Sequence, residues 1–352
     1  MRAPDFKILV VLGAALPLGV AACAEGIEPP KPTAMASVTD GLTFEFGLEG
    51  LCKGSDDLTC DVAGDLPLEY PKVKVQLAPF AIDVHEVTNF QYEYCVEKGG
   101  CTEPQFGNAP EPTQFDYYLT ERYRDYPVVN VTWVQAQEYC AFVGKRLPTE
   151  VEWERVAKGP SPDAPRDFPI EGDFTSPQDC EGKLNAIGCG GDQKMERVGA
   201  SANDFVIEDG TKIYHLAANA SEWTDSWYKA DVTCLADAPC LRENECAALP
   251  SDQQAACIAA AKNCGLCASL SEGECHYMCE GFGRKTILCT AYDEPLTQSE
   301  LVPTSGSDKA IRGGSVSTTR TQRCLLHSWN RDQRNATTFL ANSLGFRCAR
   351  SL

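Results

Sequence analysis

Residues 144–154 read GKRLPTEVEWE. Thr149 is followed three positions later by Glu152, which spells a helix start: the Thr side chain meets the N3 backbone N–H and the N3 carboxylate returns to the cap. The helix it opens carries Trp153 and Val156. Two further boxes of this kind lie upstream. Thr88 and Gln91 open a helix to about Lys98, stopped by Gly99 and Gly100. Thr132 and Gln135 open another, whose Trp133, Ala136, Cys140 and Val143 fall on one stripe and which Gly144 ends. Before the first helix, residues 73–84 (VKVQLAPFAIDV) alternate like a strand. After residue 160 Gly, Pro, Asp and Asn become frequent, as in a loop-rich fold with short strands.

The chain around these helices has 352 residues, 43% hydrophobic and 23% charged, the balance of a globular protein with one large domain or two small ones. Its 50 acidic and 31 basic residues leave a net charge of −19, which repels phosphate backbones and excludes a nucleic-acid partner. Only four histidines are present, at 85, 215, 276 and 327, too few for a His-rich metal cage. The 19 cysteines point to an oxidising compartment and a disulfide framework.

Arg2 and Lys7 precede an apolar run from Ile8 to Ala22. At 15 residues it is shorter than the ~20 a spanning helix needs, and it has the form of a secretory signal over residues 1–22. Val20, Ala21, Ala22 and Cys23 resemble a bacterial lipobox, with Cys23 as the lipidated first residue; ordinary signal cleavage near Ala22 is the alternative. The expectation is an exported chain, lipid-anchored in a bacterial cell envelope, at the outer membrane. Residues 23–38 read as a Pro-containing tether and 39–352 as the domain. Within it, residues 234–289 hold nine cysteines and read as an inserted, disulfide-stapled segment, with Ser251 capping an Ala-rich helix to about Lys262. There Cys264 and Cys267 have half of a zinc spacing, although in an exported chain a disulfide is the stronger reading. Nine is odd, so one insert cysteine is expected to pair outside, with Cys324 a candidate. Proximity suggests Cys95 with Cys101, Cys52 with Cys60 and Cys180 with Cys189.

Six stretches, in order, resemble the formylglycine-generating enzyme family, also called sulfatase-modifying factors. They are FAIDVHEVTN (80–89), PVVNVTW (127–133), GKRLPTEVEWE (144–154), NASEW (219–223), RGGS (312–315) and LGFRCA (344–349). The resemblance spans about residues 70–350, interrupted by the insert. It implies an irregular, loop-rich α+β fold related to C-type lectin-like domains, stabilised by disulfides and commonly by calcium. It also implies a bond between Cys140 and Cys348.

Active members of the family oxidise a sulfatase cysteine to formylglycine with oxygen and copper. Cu(I) is soft and takes thiolates, so two cysteines are needed shortly after the Gly-Gly-Ser element. Residues 313–324 here read GGSVSTTRTQRC. The first cysteine falls at Thr318 or Thr319 and the second at about Cys324. A hard, neutral hydroxyl does not replace a soft anion, so copper is not expected. Cys324 reads as a half-cystine or buried thiol, with a residual catalytic thiol as the alternative. For calcium, the family's Asn side chain, two carbonyls and Glu carry over to His215, Ala218, Ala220 and Glu222, and Asn185 and Ala186 resemble the start of a second site. Imidazole is a poor substitute for an oxygen ligand, which leaves calcium open. Glu222 reads otherwise as a hydrogen-bonded acid closing a turn beside Trp223.

No Gly-x-Ser-x-Gly, phosphate loop or His-Glu-x-x-His competes. His85 falls in the signature strand, and His327 lies near Cys324, a weak hint of a Cys–His nucleophile. The leading expectation is a non-catalytic binding or scaffold module with a protein or peptide partner in the envelope. The alternatives are a formylglycine-generating oxidase working through Cys324, and a structural envelope protein binding through its insert.

Overall fold

The computed structural model describes residues 28–47, 73–104, 117–172, 174, 177–228, 295–301, 304–320, 325–328 and 330–352. Cys23 and the signal segment, Cys52, Cys60, the 234–289 insert with its Ser251 helix, and Cys324 lie outside these residues.

The 73–84 stretch divides into β3 (Val73–Gln76) and β4 (Phe80–Asp83) rather than one strand. Pro79, which has no N–H to give a ladder, stands at the break. On one side of β4 lies antiparallel β1 (Met35–Val38) and on the other β12 (Ala349–Ser351), so both ends of the domain meet on one strand. This corrects the tether: Met35–Val38 is part of the fold, because Ala36 and Val38 alternate inward and are buried. A second sheet orders β2 (Thr43–Phe46), β3 and β8 (Leu296–Thr297). The third carries the site. Its order is β10 (Arg331–Asn335), β9 (Asp308–Arg312), β7 (Ser221–Trp227) and β11 (Leu344–Gly345). Strands β5 (Phe205–Glu208) and β6 (Thr211–Tyr214) form a hairpin.

Each capping box forms in full. Thr88 caps α1 (Asn89–Glu97), Thr132 caps α2 (Trp133–Phe142) and Thr149 caps α3 (Glu150–Ala157). Such a cap contributes ~1 kcal/mol. The α2 stripe is corrected at one end: Ala136 and Cys140 are buried, but Val143 is the exposed C-cap. All eight residues of α3 are buried, four of them charged, which a helix with one wet face does not do. The charges are paired. Glu150 accepts from Arg331 at 2.9 Å, Glu154 meets Lys158 at 2.7 Å and Arg312 at 2.9 Å, Glu152 meets Arg146 at 2.7 Å, and Arg155 meets Glu208 at 3.1 Å. Helix α3 is thereby bolted to β9 and β10. Around it Val151, Trp153 and Val156 pack with Phe44, Phe46, Phe80 and Ile82. A second apolar cluster joins Tyr92, Tyr139, Trp223 and Phe346.

Among the described residues three disulfides form, Cys95–Cys101, Cys140–Cys348 and Cys180–Cys189. The second joins α2 to the C-terminal segment across 208 residues. Among the described residues no helix is long and apolar enough to cross a membrane.

Candidate functional site

Where β9 ends, Gly313 turns with φ +75°. A Cβ there would sit 2.8 Å from the Leu216 carbonyl, and one on Gly314 2.7 Å from that of Ala217. Only glycine permits so close an approach. Loop 313–319 therefore lies directly on loop 215–219, with Gly314 N–H donating to Ala217 at 3.0 Å and Val316 N–H to Asn219 at 2.9 Å. A third loop closes the back. Ile187 N–H donates to Val316 at 3.0 Å and Gly188 N–H to Thr318 at 2.7 Å. A Cβ on Gly188 would stand 2.6 Å from the Thr319 backbone, and the adjacent Cys189 is bonded to Cys180.

A cavity of about 160 Å³ opens against this frame, with Ser221, Ser317, Thr318, Asp332, Arg334 and Phe339 among its walls. Asp332 and Arg334 are paired at 2.6 Å. Thr318, one of the two positions expected for the first copper thiolate, is thus in the cavity wall, and Thr319, the other, is not among its lining residues. Thr318 is almost fully buried, and its hydroxyl accepts the Ser315 N–H at 2.9 Å, closing a turn that Thr318 N–H completes to the Ser315 carbonyl at 3.0 Å. All six described cysteines are in disulfides. The described residues therefore offer Cu(I) no thiolate and do not fit it.

The calcium positions come together, but as something else. Glu222 is fully buried, and both of its oxygens are engaged by Arg347 and by the Trp153 indole N–H. His215 takes the left-handed conformation at φ +58°, fully buried, with neither ring nitrogen hydrogen-bonded. Burial holds its pKa below the ordinary value, against the opposing pull of the Asp204 carboxylate. Ala218 and Ala220 are buried beside it, and the Ala217 and Ala218 N–H groups donate to Asp204 at 3.0 and 2.9 Å. At the other position the Asn185 amide donates to the Lys194 carbonyl at 2.8 Å and to Asn219 Oδ1 at 3.2 Å. The Ala186 carbonyl already accepts from Cys189 and Gly191 N–H, each at 2.9 Å. The set His215, Ala218, Ala220 and Glu222 does not fit calcium: its only carboxylate is saturated and its side-chain nitrogen is the wrong donor.

Sequence reasoning missed three buried residues here. Glu86 accepts from Asn219 Nδ2 at 2.8 Å through one oxygen, while the other makes no hydrogen bond. Burial raises its pKa to about 8, with Arg347 opposing and Glu222 adding to the rise. Burial likewise raises Asp204 to about 6. Asn219, at φ +69°, also accepts from Glu196 N–H at 2.8 Å. The available signal was Glu86 and Asn219 standing inside the quoted motifs; nothing local marked Asp204. His85 lies just beyond β4, with Nδ1 2.7 Å from the Glu86 carbonyl. His327 packs on Phe168 at 4.2 Å and is held neutral by burial, its pKa lowered to about 3.

With this geometry in hand, comparison with known proteins is decisive. The family described as "Sulfatase-modifying factor enzyme 1-like domain" matches residues 28–352. The chain belongs to the sulfatase-modifying factor family. Within it, the chain is similar to the formylglycine-generating enzyme of Bos taurus, 26% identical over 246 residues, covering 58% of this chain and 60% of that one. It is 30% identical over 203 residues to "Inactive C-alpha-formylglycine-generating enzyme 2" of Bos taurus, covering 46% of this chain and 64% of the relative. It is also 31% identical over 225 residues to "Serine/threonine-protein kinase pkn1" of Chlamydia pneumoniae, covering 58% of this chain and 30% of that protein. Each alignment spans less than two thirds of the relative's own length. Among solved structures, PvdO from Pseudomonas aeruginosa aligns with TM-score 0.49 and 19% identity, covering 90% of this chain and 94% of that one. The sulfatase-modifying factor domain accounts for residues 28–352 of the chain.

Proposed function

We propose that this chain is a non-catalytic, envelope-anchored binding domain of the sulfatase-modifying factor family, which receives a protein or peptide partner at the Thr318 cavity. One observation carries the reading: the cavity wall bears a hydroxyl, already used to close a turn, where copper chemistry needs a thiolate. The similarity to a relative named inactive supports it. A lipid on Cys23 would hold the domain at the outer membrane, and Cys324 would serve as a half-cystine.

The test is oxidase activity. The mature chain is loaded with copper and incubated with a Cys-x-Pro-x-Arg peptide, with an active family enzyme alongside, and the peptide is weighed by mass spectrometry. The expected result is an unchanged mass. Conversion of the thiol to the aldehyde would overturn the reading and make Cys324 a copper ligand with a second thiolate. Anchoring is tested separately by fatty-acid labelling in the native host: label should enter the chain and be lost in Cys23→Ser.

A further inference from the structure

We infer that the β6–β7 loop with its flanking strand ends, residues 214–222, is anchored by an internal cation, the Arg347 guanidinium, and is closed to calcium. This goes beyond the binding role and holds whatever the cavity receives.

The guanidinium is fully buried and ringed by oxygen. Its Nε donates to both Glu222 oxygens, at 2.9 and 2.8 Å. One terminal nitrogen donates to Glu222 Oε1 at 2.6 Å and to the carbonyls of Tyr214 and His215 at 2.7 and 3.4 Å; the other reaches the Asp83 carbonyl at 3.2 Å. A carboxylate and backbone carbonyls are the ligands a hard divalent cation chooses. Here they surround a planar organic cation whose fork of donors matches the carboxylate.

Two features shut the loop to a second cation. Trp153 Nε1 donates to Glu222 Oε2 at 2.8 Å. Each Glu222 oxygen then receives two donors, which fills the roughly four lone-pair sites a carboxylate has. A metal ion would have to displace Arg347, and in this water-excluded place the two cations repel. The side chain that the family supplies as an oxygen ligand is here His215, whose ring makes no hydrogen bond.

The guanidinium is also held from behind. Cys348, the next residue, is bonded to Cys140, and its N–H donates to Asp83 at 3.1 Å. The loop's own N–H groups, from Ala217 and Ala218, end on Asp204. Every charge that orders this loop is therefore supplied by the chain. The cavity floor it forms, through Ala217 and Asn219 to loop 313–319, keeps its shape without metal.

Crystals of the mature chain soaked in terbium(III), a hard oxygen-seeking stand-in for calcium, test this by anomalous diffraction. The expected result is no peak within bonding distance of Glu222 or of the Ala218 and Ala220 carbonyls; a peak confined to another part of the molecule agrees with it equally. In solution, amide exchange of residues 214–222 should be the same in calcium and in chelator. A terbium peak ligated by Glu222, or protection of these amides gained on adding calcium, would overturn the inference.

Discussion

Glu86→Gln should make the domain more stable at pH 8 and flatten its pH dependence. Glu86 is buried with one oxygen satisfied by Asn219 and the other making no hydrogen bond, and Glu222 lies near enough to add to the rise in its pKa. Raising a carboxyl from 4.5 to about 8 means that the folded state binds its proton more tightly than the unfolded state does. The stability associated with that proton is complete below the unfolded value of 4.5 and is lost as pH rises to about 8. The whole loss is roughly 5 kcal/mol, and the part between pH 6.5 and 8 is about 2 kcal/mol. Among the described residues Glu86 is the carboxyl raised furthest, and it dominates that upper window. Asp83 and Asp204, raised to about 6, act below it, and His85 and His215, lowered by burial, act with the opposite sign below 6.5. Gln keeps the acceptor for Asn219 and carries no charge. Urea unfolding followed by tryptophan fluorescence at several pH values would read the difference. The wild type should lose stability across the window and Glu86→Gln should not. A variant less stable than wild type at pH 8, with the same slope, would mean that Glu86 is ionised and paired, and would refute the reasoning.

Three further outcomes can be measured on the same footing. Replacing Cys140 and Cys348 by Ser opens a loop of 208 residues and should cost about 5 kcal/mol on the chain-entropy account, read as a fall in the urea midpoint. Glu150→Ala removes a buried carboxylate that pairs with both Arg331 and Arg312, and a loss of ~3–5 kcal/mol is expected in the same assay. Gly188→Ala forces a methyl to 2.6 Å from the Thr319 backbone. A loss of ~1–3 kcal/mol is expected, with faster amide exchange at residues 315–319 as the sign that the cavity wall has moved.

Local grammar made the helices legible. A Thr followed three residues later by Glu or Gln satisfies backbone groups within one turn, so Thr88, Thr132 and Thr149 mark their helix starts whatever surrounds them. The break at Pro79 was equally local, but the alternation on either side masked it. The strand at Met35–Val38 was harder to see, because four residues after a Pro-containing stretch carry too little period to stand out until β4 pairs with them. Helix α3 was legible as a helix and not as a buried one. Its charged residues look solvated until Arg331, Arg312 and Glu208, all more than fifty positions away, arrive to pair with them.

Sequence by itself determined the family, the helix starts, and that positions 318 and 319 after the Gly-Gly-Ser element are threonines and not cysteines. These are identities and near-neighbour relations, and no folding is needed to read them. Only the tertiary structure decided what Glu222 does. The residue is written in the chain as an acid in a loop that resembles a calcium site, but its charge is matched by Arg347, 125 positions later, across a buried contact. The same holds for Glu86, an ordinary carboxyl in sequence whose proton affinity is set by burial, with the distant Arg347 guanidinium opposing the rise and the Glu222 carboxylate adding to it. Coulombic and desolvation energies depend on distance in space and on access of water, and neither quantity exists until the chain has folded.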